Sequence, residues 1–126
     1  MKRVHLSKFS TYYEDTDSTG LVYHTSYLKF AERARSNFLR EKFPDLQKLL
    51  DSNDFFFVVK EIQINFLKSA TLNQNLEIET FFVGHSFCSI NLIQKIFLSD
   101  MLLNQINVKL VWMDGKKKNL LNFLKI

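Results

Sequence analysis

The sequence predicts an α+β domain: an opening strand, one long helix, then four strands forming an antiparallel sheet on which the helix packs. Three observations carry this. Apolar residues follow a helical period over 27–38, they switch to a period of two beyond residue 54, and the later strands are joined by short polar connections. At 126 residues the chain has the size of one domain, and residues 1–126 are read as one.

Over residues 4–13, Val4, Leu6, Phe9, Tyr12 and Tyr13 alternate imperfectly, which reads as a strand. Ser18-Thr19-Gly20 then forms a turn, and Gly20, one of three glycines, marks a backbone conformation that a side chain would oppose. A helix-like pattern begins at His24-Thr25-Ser26. Tyr27, Phe30, Ala31, Ala34 and Phe38 recur at helical spacing, with Lys29, Glu32, Arg33 and Arg35 between them. That makes an amphipathic helix of about four turns, and the small Ala31 and Ala34 let it lie close against a sheet. Pro44 ends it or starts a short second helix over 45–50.

Ile62, Ile64 and Phe66 alternate with Glu61, Gln63 and Asn65, and Leu76, Ile78 and Phe82 oppose Glu77 and Glu79. Ile90, Leu92, Ile96 and Leu98 form a face interrupted by Gln94, and Ile106, Val108, Leu110 and Trp112 alternate with Gln105, Asn107 and Lys109. The last two connections are short enough for antiparallel neighbours, so a meander is expected. One helix cannot cover five strands, and Phe81, Val83, Ile93 and Phe97 put apolar residues on the second face. A further subunit is therefore expected over the uncovered surface and edges. The end of the chain, 119–126 (NLLNFLKI), is apolar and reads as a segment docking on the sheet or on a neighbour.

The balance of 46% hydrophobic and 24% charged residues excludes long disorder. The net charge of +4 owes three charges to Lys116-Lys117-Lys118, so no basic face of nucleic-acid type is evident. The single cysteine, Cys88, excludes an internal disulfide, fits a reducing compartment and reads as core. Polar residues interrupt the opening stretch, so no signal peptide is read, and no apolar run approaches the roughly 20 residues of a membrane span. These features predict a soluble cytoplasmic protein.

The string Asp15-x-Asp17-x-Thr19-Gly20 admits several readings. It matches the first half of a calcium loop, but Ser26 stands where a bidentate Glu is required. It also matches a phosphoryl-transfer motif whose enzymes need a parallel doubly wound sheet, which this order of elements does not supply. The plainest reading is a turn in which Asp side chains bond the backbone. Beside a helix start, however, a carboxylate has chemical use. The helix end presents unpaired N–H groups and positive dipole charge that hold a developing anion, while the carboxylate acts as base or nucleophile.

The whole constellation Y-x-D-T-D-x-x-G-x-V-Y-H-x-x-Y-L, running into F-A-E-R-A-R over residues 12–35, closely resembles the signature of the 4-hydroxybenzoyl-CoA thioesterase family of hotdog-fold enzymes. The YbgC-type (Tol-Pal-associated) acyl-CoA thioesterases are the nearest branch. The tail from Lys116 departs from that pattern, lacking a proline after its basic residues. The resemblance implies an α+β hotdog fold and thioester hydrolysis of acyl-CoA, with acyl carrier protein as an alternative carrier. It implies no metal or cofactor, and a homodimer or homotetramer with active sites at subunit interfaces. Asp17 then matches the catalytic carboxylate, as general base or as nucleophile forming a mixed anhydride. The backbone N–H of His24 matches the oxyanion donor, and Gly20, Val22, Tyr23 and Tyr27 fall on the substrate side.

The residue chemistry supports these roles and limits others. The tyrosines Tyr13, Tyr23 and Tyr27 bracket the loop, either packing it or lining an acyl pocket. Asp15 fixes the loop; in an extended segment it would lie about 6.5 Å from Asp17 on the same side. Glu32, with Arg33 and Arg35 beside it, reads as solvated or ion-paired. His5 and His85 read as incidental. Lys29, Arg33, Arg35 and Lys116–Lys118 are available for CoA phosphates, and the Phe55-Phe56-Phe57 run is either pocket or core.

Overall fold

In the computed structural model one sheet of five antiparallel strands curls around a single long helix, the α+β hotdog arrangement expected from the sequence. The structure describes residues 1–45, 48 and 55–114; the side chains of Phe55, Phe56 and Asp114 and the whole tail 116–126 lie outside this, as does most of the expected helix over 45–50. The elements are β1 (Lys2–Ser10), α1 (His24–Lys42), β2 (Phe55–Phe66), β3 (Asn75–His85), β4 (Ser89–Leu98) and β5 (Met101–Asp114). Their order in the sheet is β1-β3-β4-β5-β2. β3, β4 and β5 form the expected meander. β1 and β2 are joined through the long helix rather than a tight turn, so nothing forces them to be neighbours, and each takes an edge.

Where the expected first strand continued to Tyr13, β1 instead stops at Ser10. Thr11 is buried; its N–H donates to the Gln74 carbonyl (2.9 Å) and its hydroxyl to the Thr71 carbonyl (2.6 Å). Beyond these bonds Tyr13–Asp15 closes a single 3-10 turn. The helix is longer than expected, 19 residues, and Tyr27, Phe30, Ala31, Ala34, Phe38 and Leu39 face the sheet. Ala31 and Ala34 are fully buried, which lets the helix axis come close, and the Phe30 ring stacks on Phe9 at 5.7 Å. A fully buried side chain of this size contributes about 1.5–3 kcal/mol.

Gln94 stands as a polar residue within the buried face of β4, as expected, and links the sheet to the helix, donating from Nε2 to the Ala31 carbonyl (2.9 Å) and to Thr80 Oγ1 (3.3 Å). Two expectations, for Arg35 and Cys88, are corrected. Gln94 Oε1 accepts from Arg35 Nη1 at 2.9 Å, and Arg35 is only 5% exposed. Burial lowers the Arg35 pKa from its ordinary value, and nearby Glu32 partly offsets this. So buried, Arg35 is withdrawn from the residues that could meet a CoA phosphate at the surface. Cys88 is exposed at the β3–β4 connection rather than core, because its backbone carbonyl, not its thiol, makes the inward bond, accepting Trp112 N–H at 2.8 Å.

Candidate active site

Residues 16–23 fold into a small clasp. Thr16 bridges Val22 in antiparallel fashion, Asp17 N–H donates to the Leu21 carbonyl (2.9 Å), and Gly20 N–H returns to the Asp17 carbonyl (3.1 Å). Gly20 has φ +83°, a left-handed conformation that only glycine adopts without strain, which is the conformational role expected of it. The clasp is anchored at both ends. Val22 N–H donates to the Ala70 carbonyl (2.9 Å), and Leu21 bridges Thr71. Tyr23 N–H donates to the Asp15 carbonyl (2.8 Å), which also accepts from Ser26 Oγ (3.1 Å).

The position of Asp17 follows from this. It sits one residue past the Thr16–Val22 bridge, and Val22 lies two residues before the helix start. The clasp opposes Asp17 to Leu21 and Asp15 to Tyr23, and runs from Val22 through Tyr23 directly into the first turn of α1. The side chain is exposed, and both of its bonds fall on one oxygen: Oδ1 accepts the Thr19 N–H (2.8 Å) and the Thr19 hydroxyl. The Thr19 hydroxyl, and after it the Thr19 N–H, hold the carboxyl below its ordinary pKa. Asp17 is thus an anion near neutral pH, with Oδ2 unengaged among the described residues.

The helix start supplies the second half. Its N-cap, Tyr23, offers no side-chain bond, and the first turn contains no acidic residue. Ser26 N–H donates to the Tyr23 carbonyl (2.9 Å), while the N–H groups of His24 and Thr25 have no partner among the described residues. Two unpaired donors at the positive end of a helix of 19 residues make an anion site. The His24 ring lies against Tyr23 (centroids 4.3 Å) and edge-on to Phe66 (6.4 Å).

The remaining expected site residues divide by burial. Tyr23, at 45% exposed, and Tyr13 stand on the open side of the loop. Val22 and Tyr27 lie in the core behind it, where Tyr27 Oη accepts the Ala70 N–H (2.8 Å) and burial raises the phenol pKa. Asp15 fixes the loop as expected, by a different route from the extended one, its Oδ2 accepting the Tyr12 N–H at 2.8 Å. Glu32 is exposed and has no carboxylate role at the loop. Sequence reasoning missed Thr19 as the partner of Asp17; the signal was the two-residue spacing from Asp to a hydroxyl, the spacing of an Asx turn. It also missed Phe66, which reaches the site from β2 across the sheet and leaves no local signal.

The Thioesterase-like superfamily profile matches residues 13–124, which include the whole clasp, the helix and strands β2 to β5. The chain belongs to this family. The protein named acyl-CoA thioesterase YbgC of Haemophilus influenzae is 38% identical over 108 residues, covering 85% of this chain and 79% of that one. The acyl-CoA thioester hydrolase YbgC of Escherichia coli O6:H1 is 37% identical over 107 residues, covering 84% and 79%. The crystal structure of a probable thioesterase from Bartonella henselae superposes with a TM-score of 0.81 at 30% identity, covering 91% of this chain and 95% of that one. The enzyme class and hotdog fold expected from the 12–35 pattern are thereby borne out. No described helix is long and apolar enough to cross a membrane.

Proposed function

We propose that this thioesterase hydrolyses acyl-CoA to the free acid and CoA, with Asp17 as the catalytic carboxylate and the His24 N–H as oxyanion donor. The observation that supports the reading is the pair of N–H groups at the start of α1 with no partner among the described residues, joined in sequence to the Thr16–Val22 clasp that holds an ionised aspartate. With the thioester oxygen against the His24 N–H, Asp17 Oδ2 takes a proton from water as the water oxygen attacks the carbonyl carbon. The oxyanion gathers charge where the donor and helix dipole already lie, then collapses and breaks the C–S bond. The thiolate is a good leaving group, so no strong general acid is required. Direct attack by Oδ2, giving a mixed anhydride that water then opens, uses the same two groups.

An oxyanion donor is worth most where water is excluded, yet Asp17 stands exposed in the single chain. Leu21, Tyr23, Phe66 and Leu67 are half-exposed, as are Val58, Val59 and Ile62 on β2, an edge strand. A homodimer or homotetramer closing over this surface would dry the site, and it completes our reading. That reading also includes a cytoplasmic setting, no cofactor, and acyl carrier protein as an alternative carrier. The test is thiol release from a panel of acyl-CoAs, short to long and aromatic, by the native chain and Asp17→Asn. Release that drops at least about a hundredfold in a folded variant supports the assignment. Absence of release with every CoA ester and every acyl carrier protein ester, alongside stoichiometric binding, would make the protein an acyl-binding module.

A further inference from the structure

At the opposite end of α1 from the clasp, about 27 Å away along 19 helical residues, a cleft of about 650 Å³ opens between the helix C-terminus and the ends of β1, β3 and β4. Its floor is apolar: Val4, Phe38, Phe43, Phe82 and Ile90. The strand pairing slips by one residue close by, at Val4 in β1 and at Val83 in β3. Such bulges bend a strand and re-aim its side chains.

The rim carries both signs, with basic residues in excess: Lys2, Arg3 and Lys42 against Glu41. Glu41 is the sole carboxylate among the lining residues, and it is committed to His5 Nε2 at 3.1 Å. Arg3 is committed to Glu79 at 3.0 Å. Lys2 and Lys42 remain, each exposed and with no ion-pair partner among the described residues. A concave apolar floor of a few hundred Å³ with one or two charged groups at its mouth is the general form of a small-ligand site. Here it suits an aliphatic chain with an acidic head.

We propose that this cleft is a second ligand site, separate from the Asp17–His24 site, which takes a fatty acid with its chain on the Phe38–Phe82 floor and its carboxylate between Lys2 and Lys42. The product of the proposed hydrolysis belongs to this chemical class, so under that reading the site senses product; the binding itself does not depend on turnover. The helix C-terminus contributes negative partial charge nearby, and Lys42 in its last turn answers it.

The experiment is equilibrium binding of dodecanoate, below its micellar concentration, to the full chain. A non-hydrolysable acyl-CoA thioether is present in excess to block the catalytic site. Dodecanoate is expected to bind one per chain under these conditions, and dodecanol at least about tenfold more weakly. The double variant Lys2→Glu/Lys42→Glu, altered only at exposed positions, is expected to weaken dodecanoate about tenfold or more, in line with two surface ion pairs turned repulsive, while thiol release is retained. Displacement of all dodecanoate by the thioether, equal affinity for dodecanol, or an unchanged double variant would each overturn the second site. Loss of thiol release in the native chain would instead fall on the thioesterase reading and leave the binding result standing.

Discussion

Replacing His24 by proline isolates one hydrogen-bond donor. The His24 N–H has no partner among the described residues, so its removal breaks no bond of the fold. Proline is favoured at the first helical position, and Tyr23, at φ −67° and ψ 141°, already holds the extended conformation that a residue preceding proline takes. The imidazole leaves with the N–H, so His24→Ala is the reference; it loses the same ring contacts to Tyr23 and Phe66 but keeps the donor. Removal of one oxyanion donor costs about 2.7–4 kcal/mol of barrier reduction, or 10²–10³ in kcat. Thr25 N–H is also unpaired and remains, so the lower end, about a hundredfold between His24→Ala and His24→Pro, is expected. Thiol release gives the rates, and thermal unfolding should place the two variants within a few degrees of each other. Equal rates in two folded variants would refute the oxyanion role of His24.

Four further outcomes follow from the same geometry. Thr19→Val removes the hydroxyl that most favours the charged form of Asp17 but keeps the Thr19 N–H bond; the Asp17 pKa rises, and the acidic limb of the pH–rate profile moves to higher pH. Gln94→Leu leaves the Arg35 guanidinium buried without its acceptor and should lower unfolding free energy by about 2–4 kcal/mol in urea titration, with catalysis retained in the folded fraction. Asn104, fully buried, has neither amide atom bonded, so Asn104→Leu should stabilise the fold by about 1–3 kcal/mol; a lower melting point would mean that the amide holds a buried water. Gly20→Ala strains a residue at φ +83° with no compensating contact and should lower kcat/KM by displacing the Asp17 turn, while global stability changes by about 1 kcal/mol.

What the sequence made legible was local. The spacing of Tyr27, Phe30, Ala31, Ala34 and Phe38 reports one face of a helix whatever it packs on, and the alternations in β3, β4 and β5 report a half-buried sheet. The clasp was legible for a similar reason: Asp15, Asp17, Gly20 and the helix start lie within ten residues, so a turn can bring them together. What needed partners far along the chain was not legible. β2 sits beside β5 because the helix carries the chain across the sheet, and no residue of β2 announces that edge. Arg35 looked like a surface charge until Gln94, 59 residues on, met it in the core. Even the end of β1 was set remotely, by the bonds of Thr11 to Thr71 and Gln74.

This division bears on how the site works. The proposed oxyanion donors belong to α1, whose height over the sheet is fixed by Ala31, Ala34 and the Phe9–Phe30 stack, and whose flank is tied to β4 by Gln94. Packed helices resist displacement, so under the proposed mechanism those N–H groups would stay in place and cost no reorganisation during reaction. Asp17 belongs to an exposed turn held by a few backbone bonds and one glycine, the kind of element that opens locally at little cost. A core substitution that tilts the helix therefore acts on the donor and leaves the pH limb in place, whereas a change within residues 16–22 shifts the base and leaves thermal stability nearly untouched. Measuring both quantities on one set of variants separates the two halves of the site, and coupling between them would show that clasp and helix move as one body.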